Sequence, residues 1–157
     1  MNAIMNLWSR VTGILSHNIV ETIVLFMTRI SLAGIFWRSY ETKVVDGTLL
    51  EIDEVQYLIF ENEFAGLPIP TDLAVPMTVY AEFLFPILLV LGLFSRLSAA
   101  ALAVMALVIQ LFVFPTLDHF LGWDILVLSL AGIILARGPG MLSLDALLGR
   151  FVGAKAD

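Results

Sequence analysis

Residues Leu97–Leu117 read LSAAALAVMALVIQLFVFPTL, 21 residues without one charge. About 20 apolar residues cross a bilayer core as a helix, so this stretch predicts a membrane protein. Three neighbouring stretches are similar but carry ionisable residues. They are Val20–Tyr40 (Glu21, Arg29, Arg38), Asp72–Phe94 (Glu82) and Phe120–Ala136 (Asp124). The expected fold is all-α, a four-helix transmembrane bundle. A single membrane domain would occupy residues 1–157, with spans at about 20–40, 72–94, 97–117 and 120–136 and an outer loop over 41–71.

Composition agrees. Of 157 residues, 60% are hydrophobic, against about 45–50% in an ordinary soluble domain. Only 14% are charged, and mean hydropathy is +0.98. A soluble domain of this length has too little interior to hide that much apolar surface. Cysteine is absent, which excludes disulfides, thiol catalysis and iron–sulfur ligation. The net charge of −6 and pI near 4.7 disfavour a nucleic-acid partner. The lipid bilayer is the expected partner.

Lys and Arg positions set the expected orientation. Arg10, Arg96, Arg137, Arg150 and Lys155 fall on one side, and only Lys43 among many acids on the other. Both termini are therefore expected in the cytoplasm. Ile4, Leu7, Trp8, Val11, Ile14 and Leu15 recur at helical spacing, which suggests a short interfacial N-terminal helix. Val55–Phe64 suits another short helix, ended by Pro68 and Pro70.

The charges inside the spans carry the chemistry. Counted from the outer ends, Arg29 and Glu82 lie about 15–16 Å deep, near the middle of a core about 30 Å thick. An isolated charge there is costly, so a partner or a wet cavity is expected. Equal depth on adjacent spans predicts that Arg29 and Glu82 pair, either to fix helix register or to form a ligand site with Pro86. Proline has no N–H for the carbonyl of residue 82, which leaves an acceptor free beside that carboxylate. A second, outer polar cluster is expected from Arg38, Glu41, Lys43, Gln110, His119, Trp123 and Asp124. His119 with Asp118 and Asp124 is too weak a set for a metal, and no metal site is assigned.

The chain contains no HExxH, G-x-S-x-G, phosphate loop or GxGxxG. It holds no self-contained catalytic motif, so as an enzyme it is at most one subunit of a membrane oxidoreductase. No intrinsic cofactor is expected. Redox work would borrow a diffusible cofactor, with quinone the natural candidate in a bilayer.

Several stretches resemble the DoxX family of small bacterial membrane proteins. They are Leu91-Gly-Leu-Phe-Ser-Arg-Leu-Ser-Ala-Ala, Phe36-Trp37-Arg38-Ser39 followed by Lys43, Val108–Val113 with Pro115, His119…Trp123, and Arg137-Gly-Pro-Gly-Met-Leu-Ser-Leu-Asp145. Leu58–Phe64 with Leu67-Pro68 resembles the subgroup encoded beside bufferin-type, copper-responsive peptide systems. Ser39-Tyr40 departs from the Ser-Gly common in the family at this point. The resemblance implies a four-helix inner-membrane protein, associated in some relatives with membrane oxidoreductases or oxidative stress. The expected function is an accessory subunit for redox or metal-stress handling that touches quinone. The alternatives are a small permeation or export component and a ligand-free scaffold.

Overall fold

The computed structural model describes Met5, Gly13 and residues 18–153. The N-terminal interfacial helix expected over residues 1–18 lies outside the described residues. The described chain forms helices α1 (Asn18–Glu41), α2 (Val55–Glu63), α3 (Thr71–Leu91) and α4 (Ser95–Phe112). These are followed by α5 (Leu117–Arg137) and α6 (Leu144–Gly153). Helices α1, α3, α4 and α5 are each long and apolar enough to cross a membrane. They form a ring in which α1 packs on α3 and α5, and α4 on the same two. One end of the bundle carries Arg96, Arg137 and Arg150 and is called the basic end. The other carries the 42–70 connection and is called the acidic end.

Packing follows from residue size. Leu32, Phe36, Leu89, Leu102, Val127 and Ile134 are fully buried together. Ala33, Ala99, Ala106 and Ala131 lie in the same cluster, and their small side chains let the backbones approach closely. Met27, Met77, Leu84, Val104, Leu111 and Leu126 point outward. In water such a face would drive aggregation, but against lipid tails it costs nothing.

Three span boundaries differ from the sequence expectation by three or more residues, the first being the start of α5 at Leu117 and not Phe120, where Thr116 Oγ1 accepts from the His119 N–H. Helix α3 ends at Leu91 and not Phe94, because Gly92 takes the left-handed conformation (φ 69°) and its N–H bonds back to the carbonyls of Leu88 and Leu89. Helix α4 ends at Phe112 and not Leu117. Pro115 lacks an N–H, and the residue before a proline is pushed out of helical geometry.

At the acidic end, Val44 and Ile52 form an isolated bridge and α2 follows. Tyr40, Phe60, Ala74, Val75 and Val79 make a second buried cluster there. A Cβ on Gly66 would collide with the Phe112 carbonyl, so the connection sits directly on the end of α4. The first two turns of α3 pack in this cluster, beyond the end of α1. That offset decides which charges meet.

Candidate functional site

Helices α1 and α3 run antiparallel, and Ser39 and Lys43 fall level with Glu82. Glu82 is 2% exposed. Lys43 Nζ donates to its Oε2 at 2.8 Å, and Ser39 Oγ donates to its Oε1 at 3.0 Å. Lys43 Nζ also donates to Ser39 Oγ at 2.7 Å and to the Ser39 carbonyl at 3.0 Å. Burial makes this charge-assisted triad worth more than a surface pair, because a lone carboxylate there would bear the whole desolvation cost.

The expected pairing of Arg29 with Glu82 is therefore corrected. Arg29, fully buried, donates from Nη1 to the carbonyls of Leu89 at 2.8 Å and Val90 at 3.3 Å. Its Nη2 donates to the Leu142 carbonyl. The last carbonyls of a helix lack intrahelical donors and carry the negative end of its dipole, so Arg29 closes the end of α3. The equal-depth count assumed that Tyr40 and Asp72 mark one plane. Because α3 begins beyond the end of α1, Arg29 sits about 15 Å along the axis from Ser39.

Arg29 belongs to a junction at the basic end. Asp145 Oδ1 accepts from the Phe94 N–H at 2.8 Å and Oδ2 from the Ser95 N–H at 2.9 Å. The Asp145 N–H donates to the Gly92 carbonyl at 2.8 Å. Ser143 Oγ accepts from the Ala146 N–H at 3.1 Å and starts α6. A Cβ on Gly92 would collide with the Arg29 guanidinium and Ser143. The 91–96 turn and the 137–145 stretch are thus locked together by Arg29 and Asp145.

Pro86 lies one helical turn from Glu82 and lines an apolar groove of about 290 Å³ between α1 and α3. Ile30, Ala33, Gly34, Trp37 and Ile87 complete most of its walls. Val90 and Leu91, both half-exposed, line it too, so it opens sideways toward lipid. Nothing lies within 4 Å of a Cβ placed on Gly34.

The expected outer cluster divides. Lys43 goes to Glu82. Glu41 Oε1 accepts from Trp37 Nε1 at 2.9 Å, and Arg38 is exposed. Gln110, His119, Trp123 and Asp124 do come together. His119 Nδ1 lies 2.6 Å from Asp124 Oδ2 and 3.0 Å from Gln110 Oε1. Gln110 Nε2 donates to the Thr116 carbonyl at 3.1 Å, which turns Oε1 toward the ring. Facing two acceptors, Nδ1 is the donor of this pair of contacts. Residues 120–124 wind as a π-helix, with the Ile125 N–H bonded to the Phe120 carbonyl. This i→i+5 winding brings residues five apart toward one face. Asp124 is fully buried, and its Oδ1 has no hydrogen-bond partner among the described residues. The His119 and Trp123 rings lie tilted at 43° with centroids 5.8 Å apart, and Trp123 meets Phe36 edge-on at 5.8 Å.

Sequence reasoning missed Ser39, Gly92 and Asp145 as positioning residues. Each stood inside a recognised stretch, but their partners lie 43 to 51 positions away for Ser39 and Asp145. Among the described residues, no group of three or more His, Asp or Glu side chains could hold a metal ion.

A family model described as DoxX matches residues 24–115. The match runs from α1 through the end of α4 and stops before His119, Asp124 and Asp145. No curated protein and no solved structure matches the chain.

Proposed function

The chain belongs to the DoxX family, and on that premise we propose that it is an accessory subunit of a bacterial inner membrane, holding a bilayer-borne quinone for a redox or metal-stress partner protein. The observation that carries this reading is the apolar groove between α1 and α3, open to lipid and one turn from Glu82, Ser39 and Lys43. At about 290 Å³ it is near the lower limit of small-molecule sites, roughly 300–1,000 Å³. That size suits one ring headgroup, with the tail left in the bilayer. Trp37 offers an aromatic wall. A quinone carbonyl would compete with Glu82 for the Ser39 and Lys43 donors, one turn from the groove, and Glu82 would accept from a quinol hydroxyl. Pro86 leaves the Glu82 carbonyl without its helical donor and adds an acceptor at the same level. The electrons belong to the partner in this reading. The Leu58–Phe64 stretch supports placing the chain among relatives encoded beside copper-responsive peptide systems. The Lys and Arg distribution supports cytoplasmic termini.

Photoaffinity labelling tests the proposal. An azido-quinone added to the protein in nanodiscs should label peptides of α1 and α3 and be displaced by excess quinone. Gly34→Leu, which fills the groove, should abolish the label. Labelling spread evenly over the lipid-facing helices, or unchanged by Gly34→Leu, would overturn the reading and favour a scaffold. A permeation component draws on a separate cavity of about 280 Å³ at the acidic end, lined by Trp37, Tyr40, Glu41 and Asp46 among others. Solute uptake into proteoliposomes, blocked by a bulky residue at Thr48, would favour it.

A further inference from the structure

A cavity of about 740 Å³ lies at the basic end, between the starts of α1 and α4 and the turn after α5. Its polar rim holds Arg96, Arg137 and Glu21. Leu25, Phe94 and Leu97 form apolar walls, and the last two are 61% and 64% exposed. The cavity therefore joins a charged rim to a surface that faces the acyl region.

The charges at the rim are unequally committed. Asp145 also lines the cavity, but its carboxylate is taken by the Phe94 and Ser95 N–H groups. Arg137 Nη1 and Glu21 Oε1 touch only loosely, 3.4 Å apart on exposed side chains. The Arg96 guanidinium lies along the Gly138 backbone, since a Cβ there would fall 3.4 Å from Nη2. Ser95 adds a buried hydroxyl without a partner among the described residues. The rim thus offers two guanidinium groups and one carboxylate.

We infer that this cavity binds a zwitterionic phospholipid whose headgroup ends in a primary ammonium. Arg96 and Arg137 take the phosphodiester, as paired guanidinium forks do. Glu21 takes the ammonium, and the acyl chains run along Leu25, Phe94 and Leu97. The single carboxylate chooses the class of lipid. An anionic glycerol headgroup gives Glu21 no counter-charge, and a quaternary choline gives it no N–H. The inference is independent of the quinone groove, which lies between α1 and α3.

The test is native mass spectrometry of the full chain released from nanodiscs of equal phosphatidylethanolamine, phosphatidylcholine and phosphatidylglycerol. About tenfold more ethanolamine than choline lipid should be retained, the equivalent of one charge-assisted hydrogen bond. Glu21→Gln should remove that preference, lowering ethanolamine-lipid retention to the level of the choline lipid. Arg96→Gln with Arg137→Gln should lose all three lipids. Equal retention of the three, preference for the glycerol headgroup, or an unaltered pattern in Glu21→Gln would overturn the inference. So would lipid retention that appears only after deletion of residues 2–16. Glu21 is half-exposed, so its variant remains decisive if the arginine pair proves needed for folding.

Discussion

Glu82 has two cationic candidates in the sequence, and the structure separates them by distance. Lys43 Nζ stands 2.8 Å from the carboxylate, whereas Arg29 lies about 15 Å along the bundle axis. At an effective dielectric constant near 20, Coulomb attraction is about 6 kcal/mol at the first separation and about 1 kcal/mol at the second. Desolvation offsets much of the larger figure, so a double-mutant cycle should return roughly 2–4 kcal/mol between Lys43 and Glu82. The cycle uses Lys43→Met, Glu82→Gln and the double variant. The corresponding cycle with Arg29→Met should return at most about 1 kcal/mol. Glu82→Gln alone should cost about 3–5 kcal/mol, less any relief from bilayer relaxation. Steric-trap unfolding in bicelles measures all of these. A coupling of Arg29 to Glu82 that equals or exceeds that of Lys43 would refute the register of α1 on α3.

Asp145→Ala removes the acceptor for two N–H groups at the start of α4 and should cost about 1–2 kcal/mol. Limited proteolysis should then cut within 138–153 faster than in the parent chain. Gly92→Ala meets both a left-handed backbone and the Arg29 guanidinium, so the loss should exceed the roughly 1 kcal/mol of the backbone effect alone, read in the same unfolding assay. Asp124→Asn should weaken the acceptor facing His119 Nδ1, shifting the imidazole ¹⁵N signals in solid-state NMR, while Asp118→Asn should leave them unchanged. Reporters placed after Asp157 and near Asp53 should lie on opposite sides of the membrane, and a shared side would overturn the proposed orientation.

Some of the site was legible because it depends on local chemistry. Gln110, His119, Trp123 and Asp124 span only two adjacent segments joined by a short turn, so proximity in sequence carried over into space. Pro86 announced a missing backbone donor. Glu82 was visible as a buried acid, but its partner was not. Choosing between Arg29 and Lys43 requires the axial offset of two helices, and that offset is set by the 42–70 connection folding over the end of the bundle.

The amino-acid sequence alone determined that four apolar stretches form helices suited to a bilayer. Length, hydropathy and backbone hydrogen bonding in lipid leave no other structure for such segments. It also determined which charges would be costly enough to need partners. Tertiary structure alone decided who those partners are. Arg29 closes the end of α3, Asp145 caps α4 from the far end of the chain, and Lys43 reaches Glu82 because α3 begins beyond α1. The physical reason is that hydropathy depends on each residue by itself, whereas electrostatic and hydrogen-bond partnership depends on separations of a few ångströms. Those separations are set only when the helices pack.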